Sequence, residues 1–190
     1  MSTTHTTSHS TSLGRAAVIG AVAGVIASLV MAMYAMVAGW VQDTGFFTPL
    51  YHIASLVAAP ETMMTSMENG TAGTAFTFSF GVAVLGALIH MMTGAVYGAV
   101  FGLLMARLRL GTLALTALGL VWGAIVLVMS AFILLPLAAA ATGAGEPIAD
   151  MAAMAGWGTF TVEHLLFGIV LGMIVGLRLS RPAQSAPAAY

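Results

Sequence analysis

Four apolar segments dominate this sequence, and they restrict the chain to a membrane-spanning helical fold. They cover about residues 16–41, 75–106, 111–141 and 157–177. Each is long enough to cross a hydrocarbon core, which takes about 20 helical residues. Only 6% of the residues are charged, whereas a soluble domain has about a quarter. We therefore predict an all-α integral membrane four-helix bundle over residues 15–181.

The charged residues predict the orientation of this bundle. All five basic residues flank the same ends of the segments, namely Arg15, Arg107, Arg109, Arg178 and Arg181. Five of the six acids lie in the loops at the opposite ends, namely Asp43, Glu61, Glu68, Glu146 and Asp150. Because arginine is enriched on the cytoplasmic side, we expect a bacterial inner-membrane protein with both termini in the cytoplasm. The polar tails, residues 1–14 and 182–190, are expected to be disordered.

Two of the segments carry the same string, a histidine followed by three glycines at four-residue steps. The first copy is His90, Gly94, Gly98 and Gly102, and the second is His164, Gly168, Gly172 and Gly176. The other two segments share a glycine pair of the same spacing, Gly20 and Gly24 in one, Gly119 and Gly123 in the other. Both hairpins start on the same side, so the sequence predicts parallel repeats related by an axis along the membrane normal. The two histidines would then lie at the same depth.

Glycine at every fourth position leaves a flat strip along one side of a helix. In a membrane such strips let two helices approach closely, so helix packing is the first interpretation of both strips. The alternative is space for a flat ligand such as a porphyrin. If the strips face another helix, no macrocycle fits there; if they face a cavity, haem is favoured.

Ionisable groups inside a membrane usually face the protein interior and are candidates for function. Three interpretations of His90 and His164 stay open. Each ring could donate to a nearby acceptor and tie helices together. The pair could bind a transition metal such as copper, or haem iron, in a metal site that could also include His52, Glu163 and Asp150. The pair could instead relay protons with Glu163 or line a substrate path.

Proline predicts a short helix in each outer loop, because proline suits the first turn of a helix. Pro49 would begin one helix with Thr48 as its cap, and Pro147 would begin the other. The first helix would carry His52 toward the other histidines. The same loops contain methionines, which would suit Cu(I) but commonly serve as apolar filler, namely Met63, Met64, Met67, Met151 and Met154.

Motifs of common enzyme classes are missing from the sequence. It has no phosphate loop, dinucleotide fingerprint, nucleophile elbow or metalloprotease helix. It has no cysteine, which removes thiol catalysis and thiolate zinc sites. The net charge of −1 gives no indication of nucleic-acid binding. These features argue against an enzyme of a familiar hydrolase or kinase type.

The second copy reads His164-Leu-Leu-Phe-Gly-Ile-Val-Leu-Gly. It resembles a string in small four-span bacterial membrane proteins that have repeated His-x3-Gly-x3-Gly helices. This resemblance implies the four-span fold and the bacterial membrane, and it brings no activity with it. We expect a non-catalytic protein of the lipid bilayer, such as an accessory subunit, whose outer histidine cluster binds a metal or haem. The alternatives are a small transporter that dimerises and a ligand-free structural subunit of a larger membrane complex.

Overall fold

The computed structural model of the chain describes residues 12–108 and 110–180. In chain order its helices are α1 (Leu13–Val41), α2 (Thr48–Ala54), α3 (Glu61–Thr71), α4 (Phe80–Met105), α5 (Thr112–Met129), a π turn (Ser130–Leu134), α6 (Leu135–Thr142), α7 (Glu146–Ala149), α8 (Met151–Met154) and α9 (Trp157–Leu179). Helices α1, α4, α5–α6 and α9 are long and apolar enough to span a membrane. No β-strand occurs in the described ranges. The predicted all-α membrane four-helix bundle is confirmed.

The long helices alternate in direction, so the arginines and the acidic loops collect at opposite ends of the bundle. We call the end with Arg15, Arg107 and Arg178 the basic end, and the end with the short helices and the five loop acids the acidic end. Arg109, Arg181 and most of the two predicted tails lie outside the described residues. Helix α1 begins at Leu13, because the Ser12 side chain caps it by accepting a hydrogen bond from the Arg15 amide at 3.3 Å.

Helix α4 begins five residues later than the apolar segment suggested, at Phe80 rather than near residue 75. The intervening backbone is bound to the loop around α2. The Ala75 carbonyl accepts from the Phe46 amide at 2.8 Å, and the Tyr51 hydroxyl donates to the Thr77 carbonyl at 2.9 Å. Hydropathy cannot reveal these long-range hydrogen bonds, so it extended the helix too far.

The two proline-initiated short helices are present as α2 and α7. The predicted capping role of Thr48 is wrong. Thr48 lies within the first turn of α2, and its hydroxyl donates to the Thr44 carbonyl at 2.6 Å while Ser66 is a second partner at 2.8 Å. Phe47 precedes the helix without a side-chain cap. The threonine hydroxyl therefore joins α2 to α3 instead of capping α2.

Glycines bring α1 and α4 into backbone contact. A Cβ atom added to Gly24 would lie 2.0 Å from the Gly94 carbonyl oxygen, and one added to Gly20 would lie 2.1 Å from that of Gly98. No side chain fits at these distances, so the helix spacing requires glycine. The glycine strip of α4 therefore faces α1 of its own hairpin.

The second hairpin has the same kind of contact between α5 and α9. A Cβ atom added to Gly119 would lie 2.3 Å from the Gly168 carbonyl oxygen, and one added to Gly123 would lie 2.3 Å from that of His164. The remaining glycines of both strips, Gly102, Gly172 and Gly176, also face the first helix of their own hairpin. Both strips are therefore filled by a neighbouring helix, which leaves no space for a porphyrin along them.

The glycine contacts of the two hairpins can be superposed, but in a register that differs by four residues from the sequence repeat. Gly98 and Gly168 occupy equivalent places, because each added Cβ would meet the carbonyl oxygen of the first glycine and the Cα of the second glycine on the facing helix. By this match His164 corresponds to Gly94, and His90 lies one turn closer to the acidic end. The histidines are thus not at the same level relative to the glycine contacts. The repeat itself stays a prediction.

The hairpins pack together mainly through one side. Helix α1 packs extensively against α9, whereas α4 and α5 touch at few positions. At the acidic end a hydrogen bond of 2.9 Å from Gln42 Nε2 to Thr159 Oγ1 connects α1 to α9. Helix α2 packs on α4, where a Cβ added to Gly86 would lie 1.9 Å from the Leu50 carbonyl oxygen. This arrangement leaves a gap between α4 and the α5–α6 helix.

Replacing Gly98 by alanine should force α1 and α4 apart. The new Cβ would lie 2.2 Å from the Gly20 carbonyl oxygen, which moves only with its helix. Overpacking of this kind costs about 1–3 kcal/mol, and we expect Gly98→Ala to lower the free energy of unfolding in detergent by that order. Gly81→Ala is the control on the same helix, since nothing lies within 4 Å of its added Cβ. Equal effects of the two substitutions would contradict this packing.

Candidate functional site

A cavity of about 470 Å³ occupies the acidic half of the bundle. Helices α1, α4, α9 and the α5–α6 helix form its walls, and α2, α7 and α8 contribute residues at the acidic end. Its volume lies within the range of about 300–1,000 Å³ that is typical of small-molecule sites. Most of its lining is apolar, with a few polar side chains that include His52, His90, Glu163 and His164.

Toward the basic end the cavity is closed by packed side chains that we call the apolar barrier: Phe101, Trp122, Phe167 and Leu171. Phe101 and Leu171 are almost fully buried, at 1% and 0% exposure. The rings of Phe101 and Trp122 lie with their centroids 6.0 Å apart. Space for a ligand is therefore confined to the half of the bundle that carries the histidines.

The cavity opens sideways between α4 and the α5–α6 helix. Thr93 on α4 and Leu134 in the π turn both line it, and both are exposed on the bundle surface. Below them the Tyr97 hydroxyl and the Ser130 hydroxyl lie 3.3 Å apart and link the two helices. In a bilayer this opening would face the acyl chains. At the acidic end the exposed lining residues are Gln42 and Met154.

Two histidines that line this cavity each have one ring nitrogen without a hydrogen-bond partner among the described residues. His90 Nε2 donates to the Ser28 carbonyl at 3.0 Å, and His164 Nδ1 donates to the Phe160 carbonyl at 2.8 Å. Because a carbonyl oxygen only accepts, the other nitrogen of each neutral ring carries a lone pair. Neither lone-pair nitrogen bonds to a described residue or is sealed in the packed interior. Hydrogen bonds of this kind orient the imidazole rings of histidines that bind metal ions in other proteins.

His52 reaches the same cavity from α2. Its Nε2 donates to the Pro147 carbonyl of α7, which leaves Nδ1 as an acceptor. The side chain is buried, at 6% exposure. Burial lowers the pKa of His52 below its ordinary value, and the hydrogen bond to Pro147 opposes this only in part. The ring is therefore neutral near pH 7 and joins the short helices of the two loops.

Glu163 is the acid that the structure brings to this site. Its side chain lines the cavity at 7% exposure. The carboxyl group makes no hydrogen bond to any described residue, yet its oxygens are not sealed in the packed interior. Asp150 does not join it, since it lines a separate pocket with Phe132, Pro136 and Trp157.

The described residues form no group of three or more histidine, aspartate or glutamate side chains that could hold a metal ion. Of the five residues predicted for a metal site, Asp150 lines the separate pocket and the other four line the cavity, namely His52, His90, Glu163 and His164. Metal binding itself stays a prediction. Among the loop methionines, Met67, Met151 and Met154 line the cavity, whereas Met63 is buried in a separate core. A metal site would have to rest on fewer protein ligands than copper or zinc sites usually have.

Sequence reasoning missed two contributors to the site. Phe160 lies four residues before His164, accepts its hydrogen bond, and packs its ring against the imidazole with centroids 4.3 Å apart. Gly86 lies four residues before His90 and admits α2 to the wall of the bundle. Both follow the four-residue spacing of the strips, which was the available signal. Tyr97 and Trp122 both carry a polar atom within the spanning helices. The Tyr97 hydroxyl has Ser130 as its partner, whereas Trp122 Nε1 has no hydrogen-bond partner among the described residues.

No protein-family model, curated protein or solved structure matches this chain.

Acidification should destabilise the protein partly through His52. Since burial lowers its folded pKa, the unfolded chain binds a proton below about pH 6.5 that the folded chain does not, and stability falls as the pH drops. His52→Gln retains an N–H donor for Pro147 but does not titrate. We expect a smaller loss of unfolding free energy for this variant than for wild type between about pH 7.5 and pH 5. Identical losses would contradict the assignment.

Proposed function

We propose that the protein is a non-catalytic membrane protein that binds a small molecule in the cavity at its acidic end. The observation that carries this proposal is that His90 and His164 line one apolar-walled cavity, each with a ring nitrogen that has no hydrogen-bond partner among the described residues. Isolated structural histidines need no such space. A mostly apolar pocket with a few convergent polar groups is the usual form of a binding site.

The orientation is part of this proposal. The arginine-bearing basic end would lie in the cytoplasm, and the cavity would then lie in the outer half of the membrane. Its lateral opening between Thr93 and Leu134 would admit a molecule dissolved in the outer leaflet. The proposal also places the protein in a bacterial inner membrane, as its resemblance to four-span bacterial membrane proteins implies.

An organic molecule suits the cavity better than a bare metal ion or haem. The cavity is large for an ion, and no three metal-ligating side chains converge among the described residues. The glycine strips, which would have accommodated a porphyrin, are filled by α1 and α5. Haem iron bound to His90 or His164 would give the purified protein a Soret band, and copper or zinc would appear in elemental analysis.

A cavity-filling substitution tests the proposal. Ala35 on α1 lines the cavity at 7% exposure, and tryptophan there would occupy much of the space. We expect native mass spectrometry of the detergent-solubilised chain to count one bound N-phenyl-1-naphthylamine, an uncharged apolar probe, in wild type and none in Ala35→Trp.

The matched control is Val37→Trp, two residues along the same helix at 43% exposure and outside the cavity lining. It should bind the probe as wild type does. Ala35→Leu, a smaller change, should weaken binding if the tryptophan variant does not fold. Unchanged binding in every folded Ala35 variant would refute a site in this cavity.

Transport is the second candidate, and the π turn favours it. Ser130–Leu134 interrupts a spanning helix where it forms the cavity wall, and π turns often mark functional sites. A transporter must open the apolar barrier. The chain has no cysteine, so Ala27→Cys, at a fully buried position beside the barrier, places a single thiol there. A transporter predicts labelling by a water-soluble maleimide, whereas a static binding protein predicts none.

A further inference from the structure

The polar groups that face the cavity are rich in hydrogen-bond acceptors. The lone-pair nitrogens of His52, His90 and His164 accept, because the other ring nitrogen of each already donates to a carbonyl. Glu163 adds two carboxyl oxygens that have no partner among the described residues. A ligand that donates hydrogen bonds or carries positive charge would therefore complement these four side chains.

The described residues supply no arginine to the lining of the cavity. The sequence contains no lysine. The described arginines that flank the spanning helices lie at the opposite, basic end, beyond the apolar barrier. A carboxylate held away from water is costly, so a buried acid either takes up a proton or has a positive partner. A cation that enters the cavity would therefore stabilise the ionised form of Glu163, which is at 7% exposure.

Aromatic rings stand beside this carboxyl group. Phe160 and Phe167, which flank Glu163 on α9, line the cavity together with Tyr97 of α4. The faces of aromatic rings attract organic cations, and more strongly where water is excluded. The same walls provide apolar area for the body of a ligand. Charge and apolar surface are thus combined within one site.

We propose that the occupant is a lipophilic organic cation, whose positive centre lies at Glu163 and whose apolar body fills the space between α4 and the π turn. This inference rests on the proposed function, since it names the ligand class of the same cavity. The opening beside Thr93 and Leu134 suits such a ligand, because amphipathic cations concentrate in the membrane before they bind. The histidines accept from an N–H donor where the cation has one.

A pair of ions of equal size and opposite charge tests the inference. Tetraphenylphosphonium and tetraphenylborate share a shape, so a difference between them reports charge alone. We expect native mass spectrometry and calorimetry of the full chain in detergent to show tetraphenylphosphonium bound at least about tenfold more tightly, since a desolvated carboxylate discriminates strongly between charges. Ala35→Trp should abolish this binding, which places it in the cavity.

Substitution of Glu163 tests whether this carboxyl group causes the preference for the cation. Glu163→Gln, which removes the charge and keeps the shape, should weaken tetraphenylphosphonium binding by about tenfold or more. Glu61→Gln is the matched control, since Glu61 is exposed at the acidic end and lies outside the cavity. The comparison of the two ions on wild type needs no variant, so it decides even if Glu163→Gln does not fold.

The outcomes separate this inference from the proposed function. Equal binding of both ions, or undiminished selectivity in Glu163→Gln, would overturn the cation assignment and leave an apolar binding site. Failure of tetraphenylphosphonium to bind wild type would also overturn it, while N-phenyl-1-naphthylamine binding would still support the cavity. Failure of the uncharged probe in wild type would reject the proposed function itself.

Discussion

Backbone contact between glycines holds each hairpin together, and the rest of the structure depends on it. Lipid tails are as apolar as the side chains, so spanning helices associate through close packing rather than through the hydrophobic effect. The glycine contacts fill the basic half of both hairpins. They end near Gly94 in one and near His164 in the other, where larger and polar side chains begin. The cavity lies in the half of the bundle beyond this boundary.

Unequal joining of the two hairpins gives the cavity its lateral opening. An exact two-fold relation would repeat the α1–α9 contact between α4 and α5, but those helices barely touch. The hydroxyl groups of Tyr97 on α4 and Ser130 in the π turn form a contact across this gap. The lateral opening lies where this second helix contact would have been. Asymmetry between similar hairpins therefore accounts for both the space and the route into it.

Hydropathy and glycine spacing predicted the four helices, because both are local properties of each segment. His90 and His164, which the two glycine strings mark, both line the cavity, and Glu163 lines it as well. That these residues bind anything stays a prediction. The register of the two hairpins and the capping of α2 could not be derived in the same way. They depend on contacts between distant segments, such as that of Thr48 with Ser66. The sequence places Asp150 in an outer loop but carries no information about the direction of its side chain, so its grouping with the histidines could not be derived either.

The π turn before Pro136 determines which side chains the far part of its helix offers to the interior. One additional residue in a turn rotates all that follows by about 100° around the axis. Leu135 and Ala138 reach the cavity with that rotation in place. Deletion of one residue there would reverse this rotation. Side chains that now face the cavity would turn toward lipid and others would replace them, while the hydrophobicity of the helix would hardly change. Insertions and deletions, more than point changes, are thus the natural means of reshaping this wall.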